Sequence, residues 1–368
     1  MREYSKKNTA KDLSVKSLDE YVKLLNQYPS RKFFFRGENG LNQEREAGAF
    51  REHHGGWIDK YRDFMYMVDN FYSEVSYRIN DAEKSHFLAF SQHYGIPTNL
   101  IDVSSSPLTA LFFACNGDKP EGYVYIFDNE YIDITSIIMK NPKKNFIELM
   151  LEKDSHTISA FINEIRRFES LYPKTFYTLF DNLVSDMKHY LGHSLDKANP
   201  IKKLKTYKRK QGVYNAYLHG NEIIALELNA ENEYVDLTNI SNGVLPSAAL
   251  DYTILSIHLL RRLHDYEEYL FWLNWLPSMV YKPDILFERA RIQSGFFVVQ
   301  AFMHHTEPMY EVDVLARQRI MYTRKIKIEA PSRVLKELDN IGVNRATIFG
   351  DFDNIAKHIV LSQRSTSE

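Results

Sequence analysis

The stretch from Ser91 to Cys115, SQHYGIPTNLIDVSSSPLTALFFAC, constrains this chain more than any other. Its punctuation sets an order of elements. Gly95 is placed to end a helix carrying Gln92, His93 and Tyr94, and Pro97 stops it. Asn99 to Val103 is a short apolar run of the kind that makes a buried strand. Ser106-Pro107 has the form of an N-cap followed by Pro at the first helical position, and it opens an apolar helix over Leu108–Cys115. Helix, strand and helix thus follow one another closely. Their turns concentrate Gln92, His93, Tyr94, Thr98, Asp102, Ser104, Ser105 and Ser106. That many hydroxyls, with an imidazole and a carboxylate, exceed what packing alone asks for.

A second signal lies upstream in KFFFRGE, a strand over Lys32–Arg36 that closes on Arg36. One Arg ending an apolar run places a cation at the mouth of a pocket, where it can grip a phosphate or carboxylate bidentately. A surface Arg in an ordinary ion pair would read the same way. Gly37 lets another group approach the backbone closely.

The chain has 368 residues, enough for two domains or one large domain with an insertion. At 44% hydrophobic it can bury a sizeable core, and 24 Tyr and 23 Phe make it rich in rings. A net charge of -2 leaves no overall basic field to draw it onto nucleic acid. The single cysteine, Cys115, excludes an internal disulfide and a multi-cysteine zinc site, and its apolar helix reads as burying a structural thiol. The opening MREYSKKNTAKDL lacks the apolar core of a signal peptide, and no window nears the ~20 apolar residues of a membrane span. The expectation is a cytoplasmic protein with no membrane partner.

Periodicity places further elements. Ser17-x-x-Glu20 has the form of a capping box before a helix from Leu18, and helices are expected over Trp57–Ile79 and Glu83–Tyr94. Strands are expected at Gly122–Phe127, Glu222–Leu228, Phe296–Met303 and Lys325–Glu329. Helices are expected over much of Asp133–Lys210 and at Leu250–Leu273, Pro331–Leu338 and Asp353–Val360. Strands from both ends with helices between indicate an α+β class.

Several chemistries find no motif. There is no G-x-S-x-G elbow, and serines just before a helix serve as caps, which weighs against a Ser/His/Asp hydrolase. There is no phosphate loop and no G-x-G-x-x-G, which weighs against ATP hydrolysis and a doubly wound NAD fold. His189 and His193 have i,i+4 spacing but lack the Glu of H-E-x-x-H, so no metal site is expected. His93 near a helix C-terminus is favoured by the dipole without any function. Gln293, at the entrance to a strand, reads equally as a cap or turn residue. The basic run Lys202–Lys210 could set Lys205, Lys208, Arg209 and Lys210 on nucleic-acid phosphates, or be a solvated face.

Taken together, Phe35-Arg36-Gly37, Gln92-His93-Tyr94-Gly95-x-Pro97-Thr98, Leu100-Ile101-Asp102 and Pro107-Leu108-x-Ala110-Leu111-x-Phe113-Ala114 resemble the FRG domain. Arg291-Ile292-Gln293-x-Gly295-x-Phe297 and the closing Ile348-Phe349-x-Asp351-Phe352 resemble later blocks of the same family. Asn99, Val103 and Ser104 stand where many members carry Arg, Trp and Thr. The resemblance implies a mixed-sheet α+β core similar to the ADP-ribosyltransferase fold, with a helical insertion. On it, 1–130 and 246–368 would form the two parts of the domain and 131–245 the insertion. It implies NAD as substrate, held by Arg36, Gly37, Gln92, Tyr94, Thr98, Ser104 and Ser105. Gln293 would take the place of the usual catalytic Glu, with His93 on the nicotinamide side and Asp102 or Glu288 supplying charge. It further implies a toxin-like or phage-defence effector, acting on a nucleic-acid or protein acceptor and held by an antitoxin or regulatory partner. A non-catalytic nucleotide- or nucleic-acid-binding module is the alternative, and an interaction subunit with an aromatic-rich surface is a third reading.

Overall fold

A computed structural model describes residues 13–29, 32–40, 46–50, 64–195, 248–265, 272–284, 293, 295–307 and 312–365. Elements are numbered over these residues. Eight strands form one mixed sheet: β1 (Leu13–Val15), β2 (Phe33–Asn39), β3 (Leu100–Ser104), β4 (Gly122–Asp128), β5 (Ile132–Asp133), β6 (Met279–Tyr281), β7 (Gly295–Val299) and β10 (Arg324–Ile328). Their order is β1-β10-β4-β2-β3-β7-β6-β5. Only β1–β10 and β5–β6 pair in parallel. Strands from both sides of the helical stretch thus share one sheet, consistent with the α+β expectation. β8 (Phe302–Glu307) and β9 (Val312–Arg317) form a separate antiparallel pair.

Alternation along the central strands feeds two cores. Phe34, Tyr123, Tyr125 and Phe127 point to one side, and Phe35, Val124 and Ile126 to the other. With both faces covered, β4 and the Phe33–Phe35 half of β2 read as continuous apolar runs rather than as apolar–polar alternation. The smaller core is closed by α1 (Leu18–Leu25), α5 (Pro107–Cys115), α11 (Pro331–Asn340) and α12 (Arg345–Phe349). The larger core takes in α2 (Phe64–Val75), α4 (Phe87–His93), α6 (Thr135–Lys140), α7 (Phe146–Leu151), α8 (Ser155–Leu171), α9 (Pro173–Leu195) and α10 (Ala248–Asp265). Among them α10 packs on α7, α8 and α9. The short α3 (Asp81–Ser85) precedes α4, and α13 (Phe352–Ser365) follows α12. Among the described residues no helix is long and apolar enough to cross a membrane.

Several expectations need correction. The expected helix Glu83–Tyr94 is two helices, α3 and α4, broken at His86. There the imidazole is pulled inward, its Nδ1 2.9 Å from the Tyr281 hydroxyl, while Asn80 gives α3 its own capping box. The expected strand Phe296–Met303 is also two, β7 and β8. Between them Gln300 is buried and bonds three segments: its N–H donates to Asn99, its amide donates to Gln318, and its side-chain oxygen accepts from Ala47. Those bonds turn the chain out of the large sheet. At α1 the capping box is displaced. Ser17 accepts from the Glu20 N–H, but the Glu20 carboxylate takes the N–H of Lys16 instead. The helix expected to Leu273 is described only to Asp265, and Leu273 lies outside any helix. The strand expected at Glu222–Leu228 lies outside the described residues.

Cys115 ends α5 with 2% of its surface exposed, and burial pushes its thiol up to about 12. Against an ordinary thiol this lowers the thiolate fraction roughly a thousandfold at neutral pH. The native protein should therefore show no stoichiometric labelling by a thiol-specific disulfide reagent within minutes, and one equivalent after denaturation. Prompt labelling of the folded protein would contradict this placement.

Candidate functional site

Arg36 follows Phe35 on β2, at the point where the sheet is least continuous. β2 pairs with β4 over seven positions, from Phe33↔Asp128 to Asn39↔Gly122. It pairs with β3 only at Phe35↔Ser104. Beyond that pair the strands part, and the Arg36 side chain fills the fork. Its Nη1 donates to the main-chain oxygen of Asp102 at 2.7 Å, satisfying a carbonyl that a continuous ladder would have paired. Its Nε donates to Glu38 Oε1 at 2.7 Å. Among the described residues Nη2 has no partner. The Arg36 side chain is 13% exposed and that of Glu38 4%.

This corrects the picture of a cation standing free at a pocket mouth. The guanidinium is largely covered, and Glu38 answers its charge. Glu38 lies two residues after Arg36 on the same strand and so shares its face, the one sequence signal that points to it.

Asp102 carries the site outward. Its carboxylate is 73% exposed, with Oδ2 4.0 Å from Arg36 Nη1. The same oxygen accepts from Gln92 Nε2 at 3.1 Å. Gln92 Oε1 in turn accepts from the Thr98 hydroxyl, and Thr98 Oγ1 accepts from the Leu100 N–H. Gly95, at φ 94°, turns the chain between α4 and Thr98 so that this loop closes. Gln92 and Thr98 therefore orient the Asp102 carboxylate. His93 and Tyr94 stand exposed at the end of α4, where Tyr94 leans on Phe90 and the His93 ring meets it edge-on.

Ser104 is tied to the backbone on both sides. Its hydroxyl donates to the Gln293 carbonyl at 2.6 Å and accepts from the Ser106 N–H at 2.9 Å. Ser106 caps α5, accepting from the Thr109 N–H. Ser105 is exposed. Gln293 donates from Nε2 to the Ile348 carbonyl at 3.2 Å, so its amide is committed to the main chain. The face of Gly37 where a side chain would project is filled by the backbone of α5. Its need for glycine thus comes from helix packing and requires no ligand.

The separated sequence blocks do meet in space. Arg36, Asp102, Gln92 and Thr98 form one network, and Ser104, Gln293 and Ile348 a second. The two are joined along β3, where Asp102 and Ser104 are two residues apart and so about 6.6 Å apart. Glu288 and the basic residues Lys205, Lys208, Arg209 and Lys210 lie outside the described residues. Among the described residues no group of His, Cys, Asp and Glu is placed to hold a metal ion.

The family model for the FRG domain matches residues 31–122, which hold Arg36, Gln92, Thr98, Asp102 and Ser104. No curated protein and no solved structure matches the chain.

Proposed function

From a chain that carries an FRG domain at residues 31–122, we propose a nucleotide-recognition site at the fork between β2 and β3, with NAD its first candidate ligand. One observation carries this reading. Arg36 is held rigid by Glu38 and the Asp102 carbonyl with Nη2 uncommitted, beside an exposed and oriented carboxylate. A donor and an acceptor fixed side by side suit the hydroxyl groups of a ribose. A guanidinium already paired with Glu38 serves such hydroxyls better than it would clamp a free phosphate.

ADP-ribosyl transfer is the second reading, favoured by the exposure of Asp102. In that reaction the bond between ribose C1′ and the nicotinamide nitrogen breaks, and its electron pair leaves with nicotinamide. The acceptor's lone pair forms the new bond, and its proton passes to solvent. The transition state is cationic at the ribose, which a carboxylate stabilises. Gln293 brings no charge and spends its amide on Ile348, so Asp102 is assigned the electrostatic role. The likeness to the ADP-ribosyltransferase fold, the toxin-like or phage-defence role, the nucleic-acid or protein acceptor and the antitoxin partner rest on the family resemblance.

Calorimetric titration with NAD and ADP-ribose, paired with an assay of nicotinamide release, tests both readings. Saturable binding is expected. Asp102→Asn keeps an acceptor for Gln92 and should retain binding within a few-fold. If transfer occurs, the variant should release nicotinamide about a hundredfold more slowly. A folded wild-type protein that binds neither nucleotide overturns the proposal.

A further inference from the structure

The strand register sets an aromatic ring directly beside the Asp102 carboxylate. Asp102 of β3 is paired with Phe297 of β7, and Phe297 in turn with Tyr281 of β6. Residues paired across antiparallel strands share a sheet face, with their Cβ atoms about 5 Å apart. The Phe297 ring stacks on Tyr281, with 5.9 Å between centroids and 27° between planes. Tyr281 therefore covers one face of the ring, and the other is turned toward β3. There the Asp102 carboxylate leans away, accepting from Gln92 Nε2 and approaching Arg36. Gly295 lies two residues before Phe297 on the same sheet face, is exposed, and adds no side chain there. Phe297 is accordingly half-buried rather than sealed.

This ring is held in place. Behind it Tyr281 is fully buried, with its hydroxyl 2.9 Å from His86 Nδ1. The local charge is also defined. Glu38 answers Arg36, so Asp102 leaves the corner with a net negative charge. An open π face beside a carboxylate favours a flat cation over a neutral ring. A ring joined to a ribose whose hydroxyls sit at Asp102 meets Phe297 as its immediate neighbour, with no covered residue to cross. Of the two rings in NAD, adenine is neutral, whereas the nicotinamide of the oxidised form is a cation.

We propose that Phe297 is the stacking platform for the nicotinamide ring, so that the site selects the oxidised, cationic dinucleotide over its reduced form. This inference rests on the nucleotide reading of the Arg36 fork, with NAD as its ligand. Phe297→Leu keeps an apolar side chain against Tyr281 and removes the π face. Phe297→Tyr keeps the face.

The test is to compare the affinities of NAD, reduced NAD and ADP-ribose for wild type, Phe297→Leu and Phe297→Tyr. The wild type should bind NAD about fivefold more tightly than reduced NAD, the worth of one cation–π contact. Phe297→Leu should abolish that preference by weakening NAD alone. ADP-ribose, which lacks the nicotinamide ring, should be indifferent to the change, and Phe297→Tyr should bind like the wild type. The wild-type comparison stands even if Phe297→Leu folds poorly. Equal wild-type affinity for the two forms of NAD would overturn the platform and leave the Arg36 reading standing. So would a preference that survives Phe297→Leu, or an equal loss of ADP-ribose binding in that variant. Absence of nucleotide binding by the wild type would overturn both.

Discussion

Gly37→Ala is expected to abolish stable folding or to lower it severely. A Cβ at this position would lie 1.7 Å from the Ala110 carbonyl oxygen and 2.7 Å from the Ala114 nitrogen. Both are backbone atoms of α5, so no side-chain rotation relieves the clash. The helix cannot retreat either. Ala110, Leu111, Phe112 and Ala114 are buried, and Val334, Leu338 and Ile348 close the same core. Gly122 on β4 repeats the contact, its would-be Cβ 2.1 Å from the Ala114 oxygen. The two glycines open a groove between β2 and β4 into which α5 settles with its small residues inward. Extra methylenes in a packed core cost about 1–3 kcal/mol, and a backbone clash at the sheet centre belongs at or above that ceiling. Chemical denaturation should show a loss of at least about 3 kcal/mol, or the variant should appear only as insoluble protein. Gly95→Ala is the control. Its φ of 94° is unfavourable to alanine, but no atom lies within 4 Å, so the cost should be nearer 1 kcal/mol. A Gly37→Ala protein as stable as the wild type would mean that α5 does not press on β2 at this residue.

The legible parts of the fold are those set by local signals. Ser106-Pro107 opens α5, Gly95 ends α4 and the apolar run at Leu100 makes β3, because each is decided by backbone geometry within a few residues. What local signals could not carry is set by partners far away in the chain. His86 breaks a helix because Tyr281 and Asp284, nearly two hundred residues later, take its ring nitrogens. Gln300 breaks a strand because Asn99, Ala47 and Gln318 hold it. The candidate site divides in the same way. Arg36 and Asp102 stand out as chemistry-bearing residues, but their contact depends on two strands parting after a single pair. Glu38 carries only a faint local signal, its place two residues after Arg36 on one strand face, which an ordinary surface ion pair would share.

Arg36→Ala is expected to destabilise the protein as well as to remove ligand binding, and the two effects can be separated. The substitution takes the guanidinium from Glu38, whose side chain is 4% exposed, and leaves the Asp102 carbonyl without its donor. Removing one partner of a buried ion pair costs up to about 3–5 kcal/mol, because the carboxylate loses the guanidinium that answers its charge. Neutralising that charge should recover part of the loss. In the double variant Arg36→Ala with Glu38→Gln, stability should return by about half. Arg36→Lys should fall between wild type and Ala, since an ammonium cannot make the Nε and Nη1 contacts together. Nucleotide binding should be lost in both the single and the double variant, because neither has a guanidinium in the fork. Denaturation and titration of all four proteins therefore read stability and recognition independently. A double variant no more stable than Arg36→Ala would show that Glu38 is not what holds Arg36. A recovered double variant that binds NAD like the wild type would show that the guanidinium takes no part in recognition.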